Sequence, residues 1–259
     1  CEVILEIAVI GSGISGLSAS LFLSKKNNIT LYEKNDYLGG HTNTKTVNYQ
    51  DKRINVDTGF IVFNKLNYPN LVKLFDFHNV AYEDSDMSLS VSNINNNIEW
   101  SGQSINTVFA DRKRIFDINF LKFLIDILKF NKFVKNNIEE LLLDKQPLGE
   151  WLNNKNFSKQ FQENYILPMS AAIWSMNFND VLNYPISNLF SFFNNHRLLH
   201  EKKLRPQWLT VSNGSKSYID KIMRSANINK KLNSKILKIN TNDNKFSLID
   251  INGNQKEYD

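Results

Sequence analysis

Three glycines at positions 11, 13 and 16, set in Ile7-Ala8-Val9-Ile10-Gly11-Ser12-Gly13-Ile14-Ser15-Gly16-Leu17, are the residues whose spacing most directly implies chemistry. That chemistry is the cradling of a pyrophosphate. The spacing puts Gly11 in a tight turn, Gly13 where the backbone comes close to a phosphate, and Gly16 where a helix must lie close on the preceding strand; a Cβ would intrude at each. Ser12, Ile14 and Ser15 supply backbone, and the N–H groups and positive dipole end of the following helix face the anion. Glu33 lies about 20 residues beyond Gly13, where such a unit places the acid that takes ribose hydroxyls, and Lys34 follows it.

These residues work only if regular elements position them. Ile7–Ile10 reads as a buried strand, the stretch from Leu17 to Leu23 as a helix stopped by Lys25-Lys26-Asn27-Asn28, and Ile29-Thr30-Leu31-Tyr32-Glu33 as a second strand. Strand, helix and acid in register define a βαβ unit for a dinucleotide. A glycine turn with no ligand is the bland alternative, and the full set of contextual requirements stands against it.

Two further stretches could touch the same ligand. Gly39-Gly40-His41-Thr42 follows soon after the acid, and adjacent glycines suit either close backbone approach or a plain turn. In Val56-Asp57-Thr58-Gly59-Phe60-Ile61-Val62-Phe63, Asp57 is also readable as a turn acid, and Gly59 with Phe60 as a strand entering the core.

Together these segments resemble the FAD-binding amine oxidase superfamily, which includes phytoene desaturases and protoporphyrinogen oxidases. Gly-Gly-His-Thr, Asp-Thr-Gly-Phe-Ile-Val-Phe-Asn, Ala-Ala-Ile-Trp-Ser and Arg-Pro-Gln-Trp resemble a bacterial branch of it, and the chain is also similar to the flavoprotein segment fused to some plant cyclopropane fatty acid synthases. The resemblance implies an α/β fold: a Rossmann-type FAD-binding domain with an inserted, largely helical α+β substrate domain. It implies FAD as cofactor, with Gly39, Gly40, His41 and Thr42 beside the flavin, Asp57, Gly59 and Phe60 lining its ring, and the backbone near Ile236 approaching the adenine. The family's usual Arg after Gly-Gly is His41 here. An imidazole cannot reproduce the five-donor fork of a guanidinium, so His41 reads as a single donor to the cofactor or as an ordinary surface residue.

The activity implied is hydride transfer between FAD and a small hydrophobic substrate, with a lipid suggested by the synthase analogy. A non-redox, flavin-dependent rearrangement of the UDP-galactopyranose mutase type is the alternative; it calls for an arginine-lined pocket, whereas the middle of this chain is rich in Phe, Leu and Ile. No catalytic residue stands out. The family continues past the point where this chain stops, to a further FAD-domain strand and a flavin segment, so an incomplete pocket and an inactive fragment are also expected outcomes.

The resemblance places domain boundaries at 1–80, 81–204 and 205–259, the first and last together forming the FAD-binding domain. Tyr68–Phe75 reads as a helix with Pro69 in its first turn. Residues 87–92 and 98–100 read as a hairpin around an Asn-rich turn at 93–97 that opens the second domain. From Ile115 to Leu143 the pattern is a long helix with Phe116, Phe120, Phe123, Ile127, Phe130 and Val134 on one face. Leu121, Leu124, Ile125 and Leu128 widen that face into an arc calling for burial on more than one side. Helices of the same domain are the expected cover; a membrane surface met through Arg112, Lys113, Arg114 and the helix lysines is the minority reading. Residues 165–175 read as helix interrupted or started at Pro168, and His196, with no Ser or Cys nucleophile motif nearby, as an ordinary buried histidine. A glycine turn and helix at 212–222 lead back to strands at 236–239 and 246–251, joined by Asn242-Asp243-Asn244.

Composition narrows the classes. With 31 Lys+Arg against 26 Asp+Glu over 259 residues the net charge is +5, but the basic residues are scattered, which argues against nucleic acid. Cys1 is the sole cysteine, so an intrachain disulfide and a Cys-based zinc site are excluded, no metal is expected, and a cytoplasmic setting fits. No apolar run approaches the ~18 residues of a membrane span. Oligomeric state has no marker in the sequence.

Overall fold

The computed structural model describes residues 3–95, 97–200, 202–242 and 245–259, without the side chains of Lys202 and Asn242. Cys1, Asn96 of the Asn-rich turn, and Asp243-Asn244 lie outside them. The chain divides into two compact units, Cys1–Ser85 with Gln207–Asp259, and Asp86–Pro206.

The first unit opens with β1 (Glu6–Ile10), α1 (Ile14–Leu23) and β2 (Asn28–Tyr32). β1 and β2 pair in parallel, Ile7 opposite Ile29 through Ile10 opposite Tyr32, as a crossover through a helix requires. A hairpin follows, β3 (Thr44–Tyr49) with β4 (Lys52–Asp57). Its turn residues Gln50 and Asp51 both take positive φ, 47° and 62°, the geometry of a two-residue hairpin loop built without the customary glycine. β5 (Phe63–Asn64), α2 (Pro69–Phe77) and β6 (Tyr82–Ser85) complete this half, and β6 carries the first unit to Ser85, past the boundary expected at 80.

The second unit starts with the hairpin β7 (Ser90–Asn93) and β8 (Ile98–Ser101) and continues as helices: α3 (Ile105–Val108), a 3-10 turn Arg112–Phe116, α4 (Ile118–Asn136), α5 (Ile138–Leu141), α6 (Leu148–Asn154), α7 (Lys159–Phe161), α8 (Leu167–Trp174), α9 (Phe178–Leu182) and α10 (Ile186–Asn195). α7 runs into α8 through a π-helical stretch, Gln162–Ile166. Pro168 explains the widened turn: it has no N–H and its ring crowds the carbonyl four residues back, that of Asn164. The freed carbonyl accepts instead from Trp100 Nε1 at 3.1 Å. Phe123, Phe130, Trp151, Phe161, Phe190 and Phe193 are buried in one core that these helices share.

The single helix expected from 115 to 143 is not what forms. The Asp117 carboxylate accepts from the N–H groups of Asn119 and Phe120 and so starts α4 at Ile118, and Asn137 ends it. Nor is the wide apolar arc buried on two sides. Phe120, Phe123, Phe130 and Val134 are buried, whereas Leu121, Ile125 and Leu128 are exposed and Phe116, ahead of the cap, is 87% exposed.

The chain returns to the first unit with β9 (Trp208–Val211), which pairs antiparallel with β5 and β6, then α11 (Lys216–Ser225) and β10 (Ile228–Lys231). β10 adds to β2 in parallel, so the sheet β1-β2-β10 is assembled from both ends of the sequence. β11 (Ile236–Asn242), β12 (Lys245–Asp250) and β13 (Gln255–Tyr258) form an antiparallel meander. This is an α/β Rossmann-like fold with a parallel sheet and a largely helical insertion.

Candidate functional site: a dinucleotide cradle

The three glycines of the first turn have three different reasons to be glycine. Gly11 sits at φ +92°, a left-handed conformation that costs any other residue strain. At Gly16 a Cβ would lie 1.9 Å from the carbonyl oxygen of Gly11, so the residue lets α1 close onto the β1 turn. Gly13 has an ordinary φ of −64°, and a Cβ there would meet nothing within 4 Å. Neither backbone strain nor packing within the chain therefore requires glycine at 13; what it keeps clear is the space in front of the helix. Gly13 is also the N-cap of α1 and offers no side chain to the helix, and Ile14 and Ser15 in its first turn are exposed. The leading N–H groups of an uncapped helix are free to receive an anion.

Glu33 crowns this turn. Its Oε2 accepts from the Ser12 N–H at 2.9 Å and the Ser12 hydroxyl at 2.5 Å, while Oε1 accepts from the Asn35 N–H at 2.9 Å. Burial alone would push the carboxyl's pKa up, but the hydrogen bonds from the Ser12 hydroxyl and from the backbone of Asn35, Ser12 and Lys34 outweigh it and hold Glu33 below its ordinary value. The carboxylate is thus a fixed negative charge at the end of β2. Its backbone is held as firmly, the carbonyl accepting from Ser234 N–H at 2.8 Å. That contact sets the chain leading into Ile236 beside Glu33.

The adjacent glycines at 39 and 40 lie on the turn itself. Gly39 N–H points at both the carbonyl and the hydroxyl of Ser12, 3.0 and 3.1 Å away, and a Cβ on Gly40 would come within 3.2 Å of the Gly13 Cα. Both have positive φ, 120° and 60°. The segment continues through His41, whose carbonyl accepts from Phe60 N–H at 2.9 Å, and a Cβ on Gly59 would sit 2.2 Å from the same carbonyl. Thr42 is buried and hydrogen-bonded to the Tyr218 hydroxyl at 2.6 Å. Gly11, Ser12, Gly13, Glu33, Gly39, Gly40 and Thr42 are therefore brought into one connected backbone assembly. The side chains of Lys34 and His41 are exposed on it, and Phe60 packs against Phe63 and Tyr218.

Asp57 is committed elsewhere. Its carboxylate accepts from the Ser215 N–H and hydroxyl and from the Thr44 hydroxyl, and Thr44 Oγ1 accepts from Lys216 N–H. Ser215, the N-cap of α11, makes no cap bond of its own, so the β3–β4 hairpin supplies the cap from 158 residues away. Thr44 and Ser215 were not marked by sequence reasoning. Ser-Asn-Gly-Ser before a helix is a cap signal, but nothing local names a partner so distant.

An apolar groove of about 580 Å³ runs between α1 and α2, walled by Ile14, Leu21, Phe22, Leu71, Leu74 and Phe77. Ser18, Lys25, Asn70 and Lys73 complete its lining. Among the described residues no cluster of His, Cys, Asp and Glu could hold a metal ion, and no helix is long and apolar enough to cross a membrane.

Residues 9–77, the βαβ unit with the Gly39-Gly40 segment and the following hairpin, match the family described as an NAD(P)-binding Rossmann-like domain. No curated protein matches the sequence. Solved structures share the fold across both units. A putrescine oxidase variant redesigned for cofactor binding superposes with a TM-score of 0.65 at 14% identity, covering 98% of this chain and 56% of its own. A protein provisionally assigned as a protoporphyrinogen oxidase, from Exiguobacterium sp. 255-15, gives 0.60 at 18% identity over 97% and 57%. A fatty acid isomerase of P. acnes that produces CLA gives 0.55 at 14% identity over 97% and 56%. The chain thus shares its fold with these structures and spans little more than half their length.

Proposed function

We propose that this chain carries the dinucleotide-binding and helical units of an FAD-dependent oxidoreductase of the amine oxidase type, acting on a hydrophobic, lipid-like substrate. The observation that carries the reading is Gly13: a glycine that neither φ nor packing demands, at the mouth of an uncapped ten-residue helix and beside a fixed carboxylate. A pyrophosphate lying over Gly13 would meet the first N–H groups of α1, and ribose hydroxyls would donate to Glu33. Gly11, Ser12, Ile14, Ser15 and Gly16 shape that seat, with Gly39, Gly40, His41 and Thr42 continuing beyond it and the backbone before Ile236 bordering the Glu33 side. FAD, when bound, supplies a hydride acceptor; the protein's part is to hold it and to exclude water from the substrate. The preference for FAD rests on the resemblance of the 33–42 and 57–63 segments to flavoproteins. The lipid-like substrate rests on the apolar second unit and on the likeness to a fatty acid isomerase.

The test compares two glycines. Gly13→Val should lower FAD affinity roughly 100-fold or more by flavin fluorescence titration, with ADP competing for the wild-type site, and cost no more than the ~1 kcal/mol of a poorer N-cap, because its Cβ meets no protein atom within 4 Å. Gly16→Ala should instead destabilise the fold by about 3 kcal/mol, since its Cβ would collide with the Gly11 carbonyl. Undiminished FAD binding by Gly13→Val would sink the cradle reading. NAD(P) is the second reading, favoured by the family that residues 9–77 match; saturable NADH binding without FAD binding would put it in place of FAD.

A further inference from the structure

We propose that α4 and the turn before it form a face that binds anionic lipid bilayers, the helix lying in the plane of the membrane surface. One side of α4 is the wall of the aromatic core, through Phe120, Phe123, Phe130 and Val134. The opposite side of its first three turns presents Ile118, Leu121, Ile125 and Leu128 at spacings of three, four and three, which put them on one stripe. They are 68%, 37%, 48% and 69% exposed, and Ile115 and Phe116 extend the stripe at the N-terminal end. Scattered exposed apolar residues need no explanation; a continuous apolar stripe on a helix that is already anchored on its other face does.

The charges beside the stripe say what covers it. Lys122 and Lys129 flank it seven residues apart, Lys132 and Lys135 follow it toward the C-terminus, and Arg112 and Lys113 precede it, all exposed. The acids within 112–135 are Asp117 and Asp126, and both are turned to internal use. Asp117 caps α4 and pairs with Arg114 at 2.5 Å, while Asp126 is 14% exposed, accepts from Ser158 N–H and lies 4.0 Å from the ammonium of Lys129, which stays 70% exposed. The outward field is therefore positive around an apolar centre, matching hydrocarbon framed by anionic headgroups. The apolar turns can enter the headgroup boundary while the lysines keep their ammonium groups at the phosphates. A second copy of the chain would bring an equally basic rim to the contact and be repelled by it.

Vesicle sedimentation of the full chain tests this without any cofactor, so its outcome is separate from the FAD reading. Wild-type protein should co-sediment with vesicles of equal phosphatidylcholine and phosphatidylglycerol, and much less with phosphatidylcholine alone. Replacing Phe116, Ile118 and Leu128 together by serine should lower partitioning at least tenfold at low and high salt, with an unchanged circular dichroism spectrum because all three are exposed. Lys122→Glu with Lys129→Glu should abolish binding to the anionic vesicles; this pair also serves if the triple variant folds poorly. No sedimentation of the wild type at low salt would overturn the proposal. So would sedimentation unaffected by the serine variant, which would mean charge attraction without insertion. A wild-type dimer dispersed by that variant, with no lipid binding, would assign the face to self-association instead.

Discussion

In the nucleotide-binding unit the decisive contacts are directional and polar, and they join residues far apart in sequence: Glu33 to Ser12, Thr42 to Tyr218, Asp57 to Ser215. In the helical unit they are rings on rings. Phe130 alone faces Trp151, Phe157, Phe161, Tyr165, Phe190 and Phe193 at centroid distances of 5.3 to 6.4 Å. A unit that must hold polar groups of a ligand within tenths of an ångström needs hydrogen bonds, whose geometry is narrow. A unit held by apolar rings can rely on close packing, which tolerates substitution of like for like.

The sharpest way to break this contrast is in the aromatic core. Phe130→Ala removes the ring that six others touch, and should cost about 3–5 kcal/mol as transfer and cavity terms combine. Urea unfolding followed by tryptophan fluorescence would report it, because Trp151 packs on the lost ring. FAD affinity should stay within twofold at denaturant-free conditions, since every residue of the cradle lies in the other unit. A large loss of affinity without unfolding would mean the units are not independent in this respect.

The next effect concerns the cap that spans the sequence. Asp57→Ala leaves the buried Ser215 N–H without its acceptor and should cost about 1–2 kcal/mol in thermal or urea unfolding. Asp57→Asn keeps an acceptor oxygen and should recover roughly half of that. If both variants lost FAD binding while keeping wild-type stability, Asp57 would belong to the ligand rather than to the helix start.

These variants also mark where the sequence stopped being readable. Gly11, Gly13, Gly16 and Glu33 were legible because their roles follow from spacing within one βαβ unit. Spacing also gave each glycine a separate place, and the structure supplies the physical reason: a φ of +92° at Gly11, a collision with the Gly11 carbonyl at Gly16, and at Gly13 neither, only open space in front of the helix. The Thr44–Asp57–Ser215 brace was not legible, because its members are common turn residues and their partnership crosses most of the chain. The β3–β4 turn carries no local mark, Gln50-Asp51 standing where Asn-Gly would have signalled a hairpin. Pro168 was visible as an interruption, but not that it would widen a helix and hand the Asn164 carbonyl to Trp100. For α4, periodicity showed two apolar faces without telling which one water, lipid or protein would cover.

The smallest predicted effect is a matched pair, one titrating group in each unit. His78 in the first unit is 9% exposed, and burial lowers its imidazole pKa below the ordinary value; His196 in the second is lowered by burial against the opposing pull of its hydrogen bond to the Phe192 carbonyl. Both are held neutral by the fold, so the unfolded chain takes up protons first as pH falls. The stability each contributes is whole above the unfolded histidine value of about 6.5 and is lost as pH drops through the depressed folded value, with no further loss below it. Unfolding measured from about pH 8 to about pH 5 should therefore show an acid loss that His78→Asn and His196→Asn each flatten in part and together flatten most. Among the described residues Nδ1 of His78 meets the Ser225 hydroxyl at 3.2 Å and its Nε2 has no partner, while the ring of His196 stacks on Phe192 at 3.9 Å. Equal slopes in wild type and double variant would show that neither histidine is held neutral by its unit.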